Sequence, residues 1–421
     1  MILFCSEKEG SASMSGRWSD IFRQRRTPPA ETKANRPGAF VALSSAGRPV
    51  WSSTDYAALA RMGYMRNPFV HRAVRMLAEG VGQVPWFLKD GVRDIEHHPF
   101  LDLMRRPDGH GGAAAFVEQV AGHLLVAGNA YVEASLIDGR PVALHVLRPD
   151  RMRVVSGADG WPVAYDYTVD GRVTRIPATA EIGPAPVLHI RTFHPLDDHY
   201  GLAPIEAALT SLDIHNAAAA WNKALLDNAA RPSGALVYTG ANGLTDDQFE
   251  RLKKELESGY QGTDNAGRPM VLEGGLDWKA MALSPKDMDF VEARNMAARE
   301  IALAFGVPPM LLGIPGDATY ANYQEANRAL WRQTILPLAR RISDAVGSWL
   351  LPAWGDGLAV DLDLDQIPAL LSERDGLWER VGKATFLSDE EKRAAVGYGP
   401  SGKAGADRPA SVAGPEDERW T

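Results

Sequence analysis

Three stretches of this chain read as long helices, and each is fenced by proline or glycine. "GLAPIEAALTSLDIHNAAAAWNKALLDNAARPSG" (201–234) opens with Pro204, whose fixed φ suits a first helical turn, and closes at Arg231-Pro232. About 26 residues rising 1.5 Å each make a rod of roughly 40 Å. "SPKDMDFVEARNMAAREIALAFG" (284–306) follows, with Ser284 as its cap, Pro285 as its first residue, and Gly306 and Pro308 as its stop. The third spans 320–351, with Leu330, Ile335, Leu338, Ile342, Val346 and Trp349 on its apolar side. Pro337 falls inside it and is expected to kink it, since proline lacks an amide proton and clashes one turn back. Any fold for this chain must house three rods, the first two joined by a long insertion.

That insertion, 232–283, reads as a small module of its own. It contains a strand "ALVYT", a helix from Thr245, a polar loop, and the strands "MVLEG" and "DWKAMAL". Thr245 and Gln248 have capping-box spacing, and Asp246 and Asp247 fall where the helix dipole favours anions. Residues 64–200, ahead of the rods, mix helices and strands. Val70, Val74, Leu77 and Val81 recur at helical spacing, as do Phe116, Val120, Leu124 and Leu125. "VPWFLKDG" and the runs from 130 to 193 alternate as strands, with hairpin dipeptides at Asp138-Gly139, Asp159-Gly160 and Asp170-Gly171. The fold class is therefore α+β. After the third rod come a strand, "LAVDLDLD", and two short helices between 370 and 400. Residues 1–50, with Arg23, Arg25, Arg26, Pro28 and Pro29, read as a flexible basic arm, and 401–421 as a disordered tail. Met14 heads a self-contained segment and is an alternative start to Met1.

The chain has 421 residues, enough for two or three domains, and ordinary apolar and charged fractions of 45% and 23%. Cys5 is the single cysteine, so no internal disulfide forms, and a reducing cytoplasm is the expected setting. No apolar run approaches the roughly 18 residues of a membrane span. The net charge of −8 argues against a general nucleic-acid binder. It is compatible with a conduit that lets DNA pass, and equally with an acidic enzyme.

Catalytic signatures are lacking. There is no phosphate-binding G-x-x-x-x-G-K-[ST] loop, and Gly109, Gly111 and Gly112 do not follow a strand at dinucleotide-binding spacing. Ser156 and Ser211 lack a nucleophile-elbow context. Asp361, Asp363 and Asp365 alternate with leucines, as on the outer face of a strand. A calcium loop counted from Asp361 would need glycine and glutamate where Gln366 and Ser372 stand. His189, His194 and His199 recur every five residues near a strand-to-helix transition and are the remaining candidate metal ligands. No catalytic residue, cofactor or metal is assigned.

Between the second and third rods lies "GVPPMLLGIPGDAT" (306–319), apolar apart from Asp317. In order along the chain stand "YGLAPIEAA" (200–208), "NAARPSGAL" (228–236), "NAGRPMVLEGG" (265–275), "IALAFGVPPMLLG" (301–313) and "ATYANYQEANRALW" (318–331). On these five segments, in order and at matching spacing, the chain resembles the portal proteins of tailed bacteriophages, of the Hong Kong ninety-seven-like type shared by long-tailed phages, prophages and gene transfer agents. The resemblance covers 64–400.

The resemblance implies a portal fold and a ring of twelve subunits at one capsid vertex, whose axial channel carries double-stranded DNA during packaging and ejection. It implies a wing at 51–200, stem helices at 201–230 and 284–305, a clip at 231–283, a tunnel loop at 306–319, a long wing helix at 320–357 and a crown at 358–400. Terminase large subunit and later the head-completion adaptor would dock on the clip, for which Arg251, Lys253, Lys254 and Arg268 are candidates. The major capsid protein would surround the ring. Assembly would take place in the bacterial host cytoplasm, with no membrane and no catalysis involved. Ile314, Pro315, Gly316, Asp317, Ala318 and Thr319 would face the channel, where the scarcity of cations keeps phosphate contacts few. Met310, Leu311 and Leu312 fit two roles equally, channel lining or a plug between wing and stem. The small-sided run Ala217, Ala218, Ala219 and Ala220 would let stem helices approach closely. Two other readings stand beside this one: a different ring-forming connector or baseplate component, and a cytosolic metal enzyme built on the three histidines.

Overall fold

The chain enters through α1 (Tyr56–Ala58), whose first turn is capped by the Asp55 carboxylate, and runs into a π turn at Leu59–Tyr64. In this computed structural model the described residues are 53, 55–91, 93–227, 234–238, 245–260, 276–280, 290–316 and 319–397. Helix α2 (Pro68–Gly82) begins where the Asn67 side chain accepts from the amides of Phe69 and Val70, with Pro68 in the first turn. Strands β1 (Trp86–Asp90) and β2 (Arg93–Ile95) follow, then α3 (Pro99–Arg105) and α4 (Ala113–Ala127).

Six strands come next: β3 (Asn129–Ile137), β4 (Arg140–Leu147), β5 (Met152–Ser156), β6 (Pro162–Val169), β7 (Arg172–Pro177) and β8 (Val187–Arg191). They form two antiparallel three-stranded sheets, ordered β4-β3-β8 and β5-β6-β7. Two of the three hairpin dipeptides turn as tight two-residue loops. Asp138 and Gly139 have φ of 50° and 73°, and Asp170 and Gly171 have 49° and 78°. At Asp159-Gly160 only the glycine is left-handed, because the loop between β5 and β6 is longer.

The rods then appear. The first is interrupted: α5 (Pro204–Ala207) and α6 (Leu209–Asp227) meet at Ala208, so the expected unbroken helix has a joint near its start. In the insertion, β9 (Gly234–Tyr238) pairs antiparallel with β10 (Leu276–Ala280), and α7 (Asp246–Tyr260) lies between them in sequence. The expected strand "MVLEG" (270–274) lies outside the described residues. Helix α8 (Phe290–Ala304) packs along α6.

The third rod is α9 (Tyr320–Leu330), a π turn at Trp331–Ile335 and α10 (Leu336–Leu350). Pro337 has no amide to donate and its ring crowds the preceding turn, and the helix answers by widening. The Leu336 amide bonds the carbonyl of Trp331, five residues back.

Last come β11 (Leu358–Leu362), α11 (Leu371–Lys383) and α12 (Asp389–Ala395). Strand β11 pairs antiparallel with β1, giving the sheet β11-β1-β2. Strand β11 thus completes the sheet begun by β1 and β2, far earlier in the chain. Leu358, Val360 and Leu362 point one way because they alternate, and Leu362 is buried. The strand ends at Leu362, so Asp363 and Asp365 do not share an acidic strand face with Asp361. Asp361 pairs with Lys89 at 2.7 Å, Asp363 caps a short 3-10 turn, and Asp365 pairs with Arg374.

The main core joins α2, α4 and α10, through buried residues such as Leu77, Leu124 and Ile342, to Ile301 of α8, Phe305 just after it and Leu212 of α6. A second core of Tyr131, Leu147, Met152, Tyr165, Ile176 and Val187 lies between the two three-stranded sheets. No described helix is long and apolar enough to cross a membrane.

Candidate functional site

The loop between α8 and α9 is built by backbone chemistry at its two ends. Gly306 takes φ +65°, its amide bonds the carbonyl of Leu303, and the Val307 amide bonds that of Ala302. A Cβ on Gly306 would lie 2.9 Å from the Thr334 hydroxyl, which itself donates to the Gly306 carbonyl at 2.8 Å. Pro309–Leu312 then forms a 3-10 turn that ends at Gly313, φ +72°. At the far end the Thr319 hydroxyl accepts from the Asn322 amide and caps α9.

Leu311 and Leu312 pack half-buried against the main core, and Met310 is also half-buried. Ile314 departs from the expectation of a channel-facing side chain. It is 4% exposed, seated against Ala298 and Ala302 of α8. The reason is local: two alanines one turn apart leave a depression that a branched side chain fills. Pro315, Gly316 and Thr319 are exposed, while Asp317 and Ala318 lie outside the described residues. Arg299 of α8 donates to the Pro315 carbonyl. Sequence reasoning overlooked Arg299, and the signal for it was its place beside the Ala298/Ala302 pair.

On α7 the capping box is formed as expected: the Thr245 amide donates to the Gln248 side chain at 3.0 Å, and the Gln248 amide to the Thr245 hydroxyl at 3.4 Å. Arg251, Lys253 and Lys254 are all exposed, but they do not form one patch. At about 100° per residue, Arg251 and Lys254 share a face and Lys253 points away from it. Lys253 instead shares its face with Phe249, four residues earlier and 55% exposed, an apolar neighbour the sequence reading missed. Arg268 lies outside the described residues.

On α6 the buried positions are Ser211, Leu212, His215 and Ala218, spaced as one helical face. Of the alanine run, Ala218 is buried, Ala219 half-buried, and Ala217 and Ala220 are exposed. His215 receives a hydrogen bond from Asn67 Nδ2 at 3.0 Å, and Ser211 donates to Glu300, tying α6 to both α2 and α8.

The three candidate ligand histidines are engaged separately. His189 stacks on Tyr131 with ring centroids 4.2 Å apart, and its Nε2 bonds Asn129 Oδ1 at 3.0 Å. Burial drops its pKa to about 3, aided by the nearby Arg191 cation, so the ring is neutral. His199 pairs with the Ser156 hydroxyl at 2.9 Å, and His194 Nδ1 accepts from the Leu196 amide at 3.0 Å. Among the described residues no three His, Cys, Asp or Glu side chains are grouped to hold a metal.

The sequence matches the family model described as phage portal protein over residues 68–397. The chain belongs to the phage portal protein family. This portal protein is 42% identical over 339 residues to an uncharacterized protein of Rickettsia bellii (strain RML369-C), covering 79% of the chain and 87% of that relative. It is 27% identical to the probable portal protein of Streptomyces phage phiC31, covering 79% of the chain and 74% of that relative. Among solved structures it is similar to a chain in the neck of a native gene transfer agent particle computed with C12 symmetry. The two share 55% identity and a TM-score of 0.65 over 85% of this chain and 97% of that one. Portal proteins are structural components, and their general role is DNA packaging and the docking of terminase.

Proposed function

We propose that twelve copies of this chain close into a ring at one capsid vertex and that double-stranded DNA passes along its axis during packaging and ejection. The observation that carries this reading is the 55% identity, over nearly the whole of the partner structure, with a neck chain computed with C12 symmetry. A closed ring needs two different faces on each subunit. Exposed Ile214 on α6 and exposed Val291, Met296 and Leu303 on α8 are apolar positions that a neighbouring subunit would cover.

In this reading the loop from Pro315 to Thr319 faces the axis, and Ile314 holds it from behind. DNA is enclosed with few phosphate contacts and so slides without being gripped. Residues 51–200 and 320–357 act as wing, 201–230 and 284–305 as stem, 231–283 as clip and 358–400 as crown. The clip receives terminase large subunit and then the head-completion adaptor, with the Phe249/Lys253 face of α7 as its contact. The wing meets the major capsid protein. The chain works inside the virion after assembly in the host cytoplasm, and it performs no catalysis.

Deleting Gly316, Asp317 and Ala318 tests this reading while sparing the Ile314 contact. Rings should keep the wild-type mass, and particles should package or retain much less DNA, scored by nuclease-protected DNA per particle. Wild-type DNA content in the deletion variant would remove the loop from the channel.

A further inference from the structure

Two side-chain contacts tie the loop to α8. Ile314 sits on Ala298 and Ala302, one helical turn apart. Arg299, in the same turn, donates from Nη2 to the carbonyl of Pro315. Its guanidinium also lies over Gly316, where an added Cβ would meet Nη2 at 2.9 Å. Residue 315 has no amide proton, so this carbonyl is its one polar group, and a charged donor binds it more strongly than a neutral one. Just upstream, Gly313 sits at φ +72°, ends the 3-10 turn and has no atom within 4 Å of an added Cβ.

We infer that Arg299, together with Ile314, is the positioning residue that fixes the loop to α8, so that the loop takes its place from that helix. This rests on the channel reading of the loop.

The test uses the full chain, assembled, with Arg299→Ala and Arg299→Lys. Hydrogen exchange of the peptide covering 310–321 should speed up at least tenfold in Arg299→Ala, with ring mass unchanged by native mass spectrometry. Arg299→Lys keeps a donor and should restore most of the protection. In particles, Arg299→Ala should lower retained DNA, and should do nothing further in the variant lacking residues 316–318. Unchanged exchange in Arg299→Ala overturns the anchoring. Faster exchange with normal DNA retention, in this variant and in the loop deletion alike, overturns the channel reading and leaves the anchor standing. If neither Arg299 variant assembles, Arg299 acts in subunit packing and the inference fails.

Discussion

Gly128 and Gly201 stand back to back where α4 turns into β3. A Cβ on Gly201 would lie 2.2 Å from the Gly128 carbonyl oxygen, and one on Gly128 would lie 2.4 Å from that of Gly201. Asn129 binds the pair, accepting from the Gly201 amide at 2.9 Å and donating to the Ala127 carbonyl at 2.8 Å. Both obstacles are backbone, so Gly201→Ala should destabilise the chain by about 2–3 kcal/mol in chemical denaturation. Acid should act through two buried histidines. Burial lowers His123 to about 4 and His189 to about 3. In the unfolded chain each titrates near 6.5, so below that pH the unfolded state takes up the proton first. Stability is full above pH 6.5 and falls as pH drops, by about 2 kcal/mol per histidine at pH 5. Urea unfolding at pH 7 and pH 5 measures this, and His189→Phe should shrink the difference by about that amount. The sequence marked His189 as a possible ligand. Its stacking on Tyr131, distant in sequence and brought beside it by the pairing of β3 with β8, is a contact that spacing alone could not reveal.

Among the elements, those governed by local rules were the legible ones. Val70, Val74, Leu77 and Val81 form the buried face of α2, the Thr245/Gln248 box opens α7, and Asp138-Gly139 and Asp170-Gly171 turn their hairpins as their residue types require. The break before Pro337 also followed from the missing amide, though its form as a π turn did not. What escaped was set by packing across the fold. The pairing of β11 with β1 joins Trp86 to Leu362, far along the chain, and the burial of Ile314 depends on a depression in the neighbouring α8. Two element-scale outcomes follow. Thr319→Ala removes the α9 cap and should cost about 1 kcal/mol, read by thermal or urea unfolding. If the clip docks through α7, then Phe249→Ser with Lys253→Glu should weaken terminase or adaptor binding at least tenfold with the ring intact. Unchanged binding would move the docking surface elsewhere on the insertion.

At the scale of the molecule, composition alone left a conduit and an acidic enzyme equally open. Five ordered segments supplied the class, and the family match over residues 68–397 carried it. A single subunit presents exposed Ile214, Met296 and Leu303 along its paired helices, which makes sense once copies stand side by side. Such copies would close around an axis with the loop innermost. Cryo-electron microscopy of the purified full chain, with native mass on the same sample, would show this. Closed rings of about a dozen subunits are expected, with Pro315–Thr319 the backbone nearest the axis and Arg299 behind it. Rings whose loops point away from the axis, or a chain that stays monomeric at high concentration and in particles alike, would contradict that arrangement.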